Sequence, residues 1–115
     1  MTEFRRGDVV LVVFTDGSGE KRRPAVVLSS GRYHSGRQEV VIAPITSQTE
    51  SLAFGDHLIG DWQKAGLLFP SLATGILKTV KQDVIVRKLG TMSYPDMQAI
   101  ENNLRDILQI GLTLS

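Results

Sequence analysis

The chain has 115 residues, with 13 basic and 12 acidic side chains and a formal charge of +1. It therefore fits one compact domain, and any electrostatic function must come from local arrangement rather than net charge. Val, Ile, Leu and Phe make up about 31% of the chain, above the roughly 20% below which disorder is expected, so it should fold. The absence of cysteine excludes a disulfide framework, a thiolate metal site and a cysteine nucleophile, and fits a reducing compartment.

No apolar signal-like stretch follows Met1–Arg6, and the longest apolar run, Val9 to Phe14, is far too short to span a membrane. A cytoplasmic protein with no membrane association, forming a single domain over 1–115, is the expectation. Through the first two-thirds of the chain, β-branched runs alternate with Gly, Ser and Asp clusters, which predicts a mainly β fold. Val9–Phe14 is apolar at both parities and reads as a strand buried on both faces. Thr15–Glu20 has turn chemistry with two permissive glycines and reads as a flexible loop.

A second strand is predicted over Pro24–Ser29, with the proline at its first position, where a missing N–H matters least. Ser30–Gln38 reads as polar loop. A third strand, Glu39–Ala43, is predicted to end at Pro44, and shorter strands are expected around Phe54–Ile59, Ala73–Leu77 and Val84–Leu89. Near the C-terminus the period changes. Met97, Ile100, Leu104, Ile107, Leu108 and Gly111 recur at spacings of three and four, predicting a helix that packs on the sheet. Ser93 is placed to cap it, with Asp96 to return the bond and Pro95 tolerated in the first turn. A small curled sheet closed by one C-terminal helix is the architecture these patterns favour.

His34 and His57 stand in no metal-ligand spacing, and the serines lack a nucleophile-elbow context. There is no phosphate-binding loop of the Gly-x-x-x-x-Gly-Lys type. No metal and no cofactor are expected. Charge, however, is segregated along the chain. Lys21, Arg22, Arg23, Arg32 and Arg37 fall in a stretch without an acid, and Lys78, Lys81, Arg87 and Lys88 form a second cluster beside Asp83. Such clusters can face phosphate, although on charge alone a solvated loop face is the more ordinary account. Taken singly, Arg23 reads as a surface arginine at a strand entry and Thr46 as a strand-end turn cap.

Three blocks in order change that reading: Gly7-Asp8-Val9-Val10-Leu11-Val12, Lys21-Arg22-Arg23-Pro24-Ala25-Val26-Val27-Leu28-Ser29 and Ala43-Pro44-Ile45-Thr46-Ser47-Gln48. Together they resemble the successive N-terminal motifs of the MazF/PemK family of bacterial toxins. The resemblance spans nearly the whole chain, and its most specific part is Arg-Pro-Ala-Val-Val-Leu-Ser followed about twenty residues later by Pro-x-Thr. It implies a mainly β, small SH3-like β-barrel with a C-terminal helix, a homodimer, and a cognate antitoxin as partner. The activity it implies is a sequence-specific, metal-independent endoribonuclease. Such an enzyme cleaves single-stranded RNA by 2′-hydroxyl transphosphorylation, leaving a 2′,3′-cyclic phosphate or 3′-phosphate and a 5′-hydroxyl.

The family's catalytic arginine and threonine fall on Arg23 and Thr46. Lys21, Arg22, Lys78 and Thr79 fall among RNA contacts, and the mobile segment over the RNA groove falls on Asp16, Gly17, Gly19 and Glu20. Where many relatives carry an acidic residue followed by glutamine, this chain has Gly75-Ile76-Leu77. Two other classes remain open: a non-nuclease toxin that binds DNA gyrase, as in the related CcdB family, and a catalytically weak relative that only binds antitoxin. Trp62, Leu67, Leu68 and Phe69 are assigned to the core, with a partner-binding or base-stacking surface as alternatives.

Overall fold

The computed structural model describes residues 4–111. Strands β1 (Asp8–Asp16) and β2 (Gly19–Val27) form an antiparallel hairpin, followed by a short helix α1 (Gly31–Gly36) and strand β3 (Glu39–Thr46). Next come β4 (His57–Leu58), β5 (Leu72–Ala73), β6 (Lys78–Lys81), a single 3₁₀ turn at Gln82–Val84, β7 (Ile85–Thr91) and helix α2 (Tyr94–Leu108). The strand order is β4-β5-β3-β2-β1-β7, with β6 also paired to β3. The ladder curls as a barrel does without closing, and β4 and β7 are its ends.

Strand β1 is buried on both faces, as its sequence predicts. Val9 belongs to a cluster with Val26, Ala43, Ile45, Met97 and Ile100 under α2, whereas Val10 and Val12 belong to a second cluster with Phe4, Ala25, Val27, Val40 and Ile42. Alternation across the pleat thus sorts β1, β2 and β3 between two cores. The α2 stripe does the same on a helical period: Met97 and Ile100 are buried and Leu104 packs against the first cluster, while Leu108 is exposed. The expected core group divides likewise, with Trp62 and Leu67 packed in the first cluster and Leu68 and Phe69 exposed at 82% and 62%.

Several boundaries differ from the sequence expectation. The Thr15–Glu20 segment is strand except for a two-residue turn, because Thr15 pairs with Glu20 and Asp16 with Gly19. Pro24 therefore lies within β2 rather than at its start. The position is tolerable because pairing of β2 with β3 begins only at Ala25, opposite Pro44, leaving that side of Pro24 without a ladder partner among the described residues. Pro44 likewise does not end β3, which continues to Thr46 by pairing with β5.

Residues 31–36 form α1 rather than loop, started by Ser30, whose Oγ accepts from the Tyr33 N–H at 3.2 Å. Instead of one strand over Ala73–Leu77, β5 and β6 run along β3 in turn with residues 74–77 bulged between them. Gly75 fits that bulge because a Cβ there would meet the Gly55 carbonyl carbon at 3.0 Å.

Candidate functional site

The β2 and β3 registers decide which candidate residues share a surface. Ala25 faces Pro44 and Val27 faces Ile42. The ladder ends there, so Arg23 and Thr46, each two residues beyond the last pair on its own strand, are related by alternation along their strands and not by pairing. On the other side of β2, Arg23 pairs with Val12 and Lys21 with Phe14, and on β6 Lys78 pairs with Ile42. Directly paired residues project to the same side of an antiparallel sheet, and alternate residues share it. Lys21, Arg23, Thr46 and Lys78 therefore lie on the face of Val12 and Ile42, beyond the point where that core runs out at Phe14 and Val80. Arg22, paired with Val13, and Thr79, paired with Val41, lie on the opposite face.

Two side-chain interactions support this placement. The Lys78 Nζ sits over the Phe14 ring, 5.2 Å from its centroid, an arrangement that holds the ammonium at the edge of the apolar core. Asp16, at the end of the hairpin, is held below the ordinary carboxylate range first by the Ser18 hydroxyl, then by the Ser18 N–H, with the Arg23 charge adding to them against a small effect of burial. The two Ser18 bonds measure 2.6 and 2.8 Å. Gly17 and Ser18 alone form the turn, and Gly19 takes a φ of +116°, which glycine adopts without strain. Glu20 is exposed opposite Thr15.

Arg23 is exposed and has no carboxylate within ion-pair distance among the described residues. Its guanidinium presents a planar fork of donors, shaped for the oxygens of a phosphate. Thr46 Oγ1 accepts from the Gln48 N–H at 3.2 Å. With a lone pair so engaged, its proton remains available to a ligand. Phe14 beneath Lys78 and the Ser18 lock on Asp16 are features of the site that the sequence reading missed. The even-parity run Val10, Val12, Phe14, Asp16 was the signal that could have located them.

The second polar cluster lies at the start of α2. Asp96 accepts from the Gly60 and Asp61 N–H groups at 2.8 and 2.9 Å, from the Ser93 hydroxyl at 2.9 Å and from His57 Nε2 at 2.8 Å. Burial pushes this carboxyl up, but the hydrogen bonds outweigh it and hold it at about 2. Ser93 caps the helix as expected, its Oγ accepting from the Asp96 N–H. The returned bond comes from the Ser93 hydroxyl to the carboxylate. His34 is engaged through both ring nitrogens, by the Phe4 carbonyl and the Ser29 hydroxyl. Among the described residues no three His, Asp or Glu side chains gather in a metal-like group, and no helix is long and apolar enough to cross a membrane.

The fold and this face define a small, mainly β domain with one C-terminal helix and an exposed, donor-rich surface at the end of its first hairpin. The family model of the PemK-like, MazF-like toxins of type II toxin-antitoxin systems matches residues 5–108. The chain belongs to that family. Among solved structures it is similar to a MazE–MazF complex from Deinococcus radiodurans, with a TM-score of 0.80, 17% identity, and coverage of 96% of this chain and 100% of that one. It is also similar to an endoribonuclease in complex with its cognate antitoxin from a mycobacterial species, with a TM-score of 0.75, 20% identity, and coverage of 96% and 99%. The Mycobacterium tuberculosis toxin MazF-mt6 matches with a TM-score of 0.75 at 17% identity, covering 91% of this chain and 99% of that one. No curated protein matches the sequence significantly.

Proposed function

We propose that the protein is an endoribonuclease toxin that cleaves single-stranded RNA without a metal ion, using Arg23 and Thr46, and is restrained by a cognate antitoxin. The observation that supports this reading is the alternation along β2, β3 and β6, by which Arg23, Thr46 and Lys78 share one side of the sheet. Family membership and the solved relatives described as endoribonuclease and as toxin–antitoxin complexes support it.

In the proposed reaction the 2′-hydroxyl oxygen attacks the adjacent phosphorus, its proton passes to solvent, and the bond to the 5′-oxygen breaks. That oxygen takes up a proton, giving a 5′-hydroxyl and a 2′,3′-cyclic phosphate, which water opens to a 3′-phosphate. The phosphorus passes through a state carrying extra negative charge. Arg23 and the Thr46 hydroxyl supply donors to its oxygens, while Lys21 and Lys78 hold neighbouring phosphates. Arginine is too weakly acidic to serve as a base near neutral pH, so its contribution is electrostatic. In-line attack needs a geometry that a stacked duplex resists, which makes unpaired RNA the substrate. Arg22 and Thr79, on the opposite face, serve RNA only where the strand wraps past the sheet edge. The Asp16–Glu20 hairpin end is the segment proposed to move over the bound strand. A homodimer is proposed as the working form, and the exposed Phe54, Leu68 and Phe69 leave apolar surface for a partner.

The test is to incubate the purified protein and its Arg23→Ala variant with a mixed single-stranded RNA pool in excess chelator, then sequence the fragments and identify their ends. Discrete cuts with 5′-hydroxyl ends, lost in the variant, are expected. Intact RNA from folded, antitoxin-free protein would overturn the reading in favour of a gyrase-binding toxin or a silent relative.

A further inference from the structure

On the far side of β6 from Lys78 lies a cleft of about 750 Å³ between the N-terminal segment, α1 and the 3₁₀ turn, within the range of sites that hold small organic ligands. Its walls are tied together. Gln82 Nε2 donates to the His34 and Arg37 carbonyls at 3.1 and 3.0 Å, and the Gln82 N–H donates to the Gln38 carbonyl at 2.8 Å. The His34 ring links α1 to the Phe4 carbonyl at 3.0 Å. These bonds join three separate segments, so the cleft is pre-formed rather than a gap between mobile loops.

The lining is cationic. Arg5, Arg37 and Lys81 face it against the carboxylate of Asp83, the one acid that lines it among the described residues, and Glu39 reaches Arg37 only at Nε, 3.1 Å away. The other guanidinium donors of Arg37, together with the Arg5 and Lys81 side chains, have no acidic partner within ion-pair distance among the described residues. Phe4 supplies an apolar floor and Gln38 an exposed amide on the rim. Two cations without an acidic partner among the described residues and a third, Arg37, with donors left over from Glu39, around an apolar floor with an amide on the rim, suit a chain of phosphates carrying planar bases. Strand β6 connects this cleft to the candidate site. Lys78 stands at one end and Lys81 at the other, three residues or about 10 Å along the strand and on opposite faces of it, so a chain that reaches both passes over the side of β6 that has no ladder partner among the described residues.

We infer that this cleft is a second contact region for single-stranded RNA, holding nucleotides of the same strand that flank the cleaved bond. This inference rests on the ribonuclease reading above and extends it from the reacting phosphate to the strand around it. Nothing in the cleft touches the reacting atoms, so its contribution is to affinity and to the length of RNA gripped.

The test uses strands with a 2′-deoxy nucleotide at the cut site, which lack the nucleophile and stay intact, in a short form covering only the cleavage word and a form extended on both sides. Affinities are measured by fluorescence anisotropy over a range of salt. The extended strand is expected to bind at least about tenfold more tightly than the short one. Lys81→Glu and Arg5→Glu are each expected to remove most of that gain and to lower the salt slope by about one. Cleavage of the short all-ribose strand should be unchanged in both variants. Lys81→Gln and Arg5→Gln, which leave the cleft without an added acid, should lose part of the gain while melting with the parent.

A length gain that survives all four substitutions overturns the inference while leaving the ribonuclease reading intact. So does an equal loss on the short strand, which would make the cleft part of the reacting site. Saturation of the cleft by a nucleoside monophosphate, seen as shifts of the Gln38 and Gln82 amides without any length gain, overturns it in favour of a free-nucleotide site. Failure of the parent protein to cut or bind any RNA overturns both.

Discussion

Asp16 and Asp96 are both carboxylates held below their ordinary range, yet their surroundings differ in every other respect. Asp96 is buried and accepts hydrogen bonds from residues of α2's cap, of β4 and of the loop after it. Its acceptor capacity is spent within the protein, and its consequence is mechanical: it ties the start of α2 to the sheet. Asp16 is exposed and locked by its near neighbour Ser18, with the charge of Arg23, which has no ion-pair partner among the described residues, a lesser influence on it. Saturated polar groups hold a fold together, whereas unsaturated ones on an exposed face are available to a ligand. By that criterion the His57–Asp96 pair, which resembles a catalytic dyad, is a structural fastening, and the Arg23 face is the one proposed for chemistry.

The largest effect expected from this contrast is on turnover. Arg23→Ala should lower the rate of RNA cleavage on the order of a hundredfold to a thousandfold, with a melting temperature equal to the parent's; a large drop in stability would place Arg23 among the fastenings. Asp96→Ala should do the reverse. It leaves the Gly60 and Asp61 N–H groups without their acceptor and should cost about 3 kcal/mol in denaturant unfolding, while cleavage per folded molecule is retained.

Acid tests the same node without mutation. The folded-state value of about 2 lies below the ordinary 3.8, so the folded protein binds the proton less readily than the unfolded chain. Asp96 therefore contributes its full stabilisation above about pH 4, and about 2 kcal/mol should be lost as the pH falls through 2. An Asp96→Asn variant should lack this component of the acid transition. The smallest expected effect separates the two sides of the sheet. Thr46→Val should slow cleavage about tenfold, in line with the loss of one hydrogen-bond donor to a charged group, whereas Thr79→Val on the opposite face should change it little.

Much of the fold was legible because its signals are local. The two-sided apolar run of β1, the period of α2 and the Ser93 cap all depend on residues close together in sequence, and each is found. Errors arose where pairing overrode punctuation. Gly17 and Gly19 suggested a long loop, but the ladder extends to Asp16 and Gly19. Pro24 and Pro44 suggested strand limits, yet each lies within a strand. The candidate site was legible only as a set of motif residues. Parity within each strand, combined with the registers of β1, β2, β3 and β6, separates Lys21, Arg23, Thr46 and Lys78 from Arg22 and Thr79. The carboxylate bonds joining Asp96 to His57, Gly60 and Asp61 cross 35 to 39 residues and left no mark in the spacing of the chain.

Among the described residues, the half of β2 that carries Arg23 has a ladder partner on one side only, from Gly19 through Pro24. An extended strand with an open side invites edge-to-edge pairing with another copy, the first step toward insoluble aggregates. Here that side is blunted by Pro24, which offers no N–H, and by the charged run Glu20, Lys21, Arg22 and Arg23 that precedes it. The strand is thus exposed in the free protein without being adhesive. The arginine and proline adjoining in β2 thereby also help to keep the free protein dispersed.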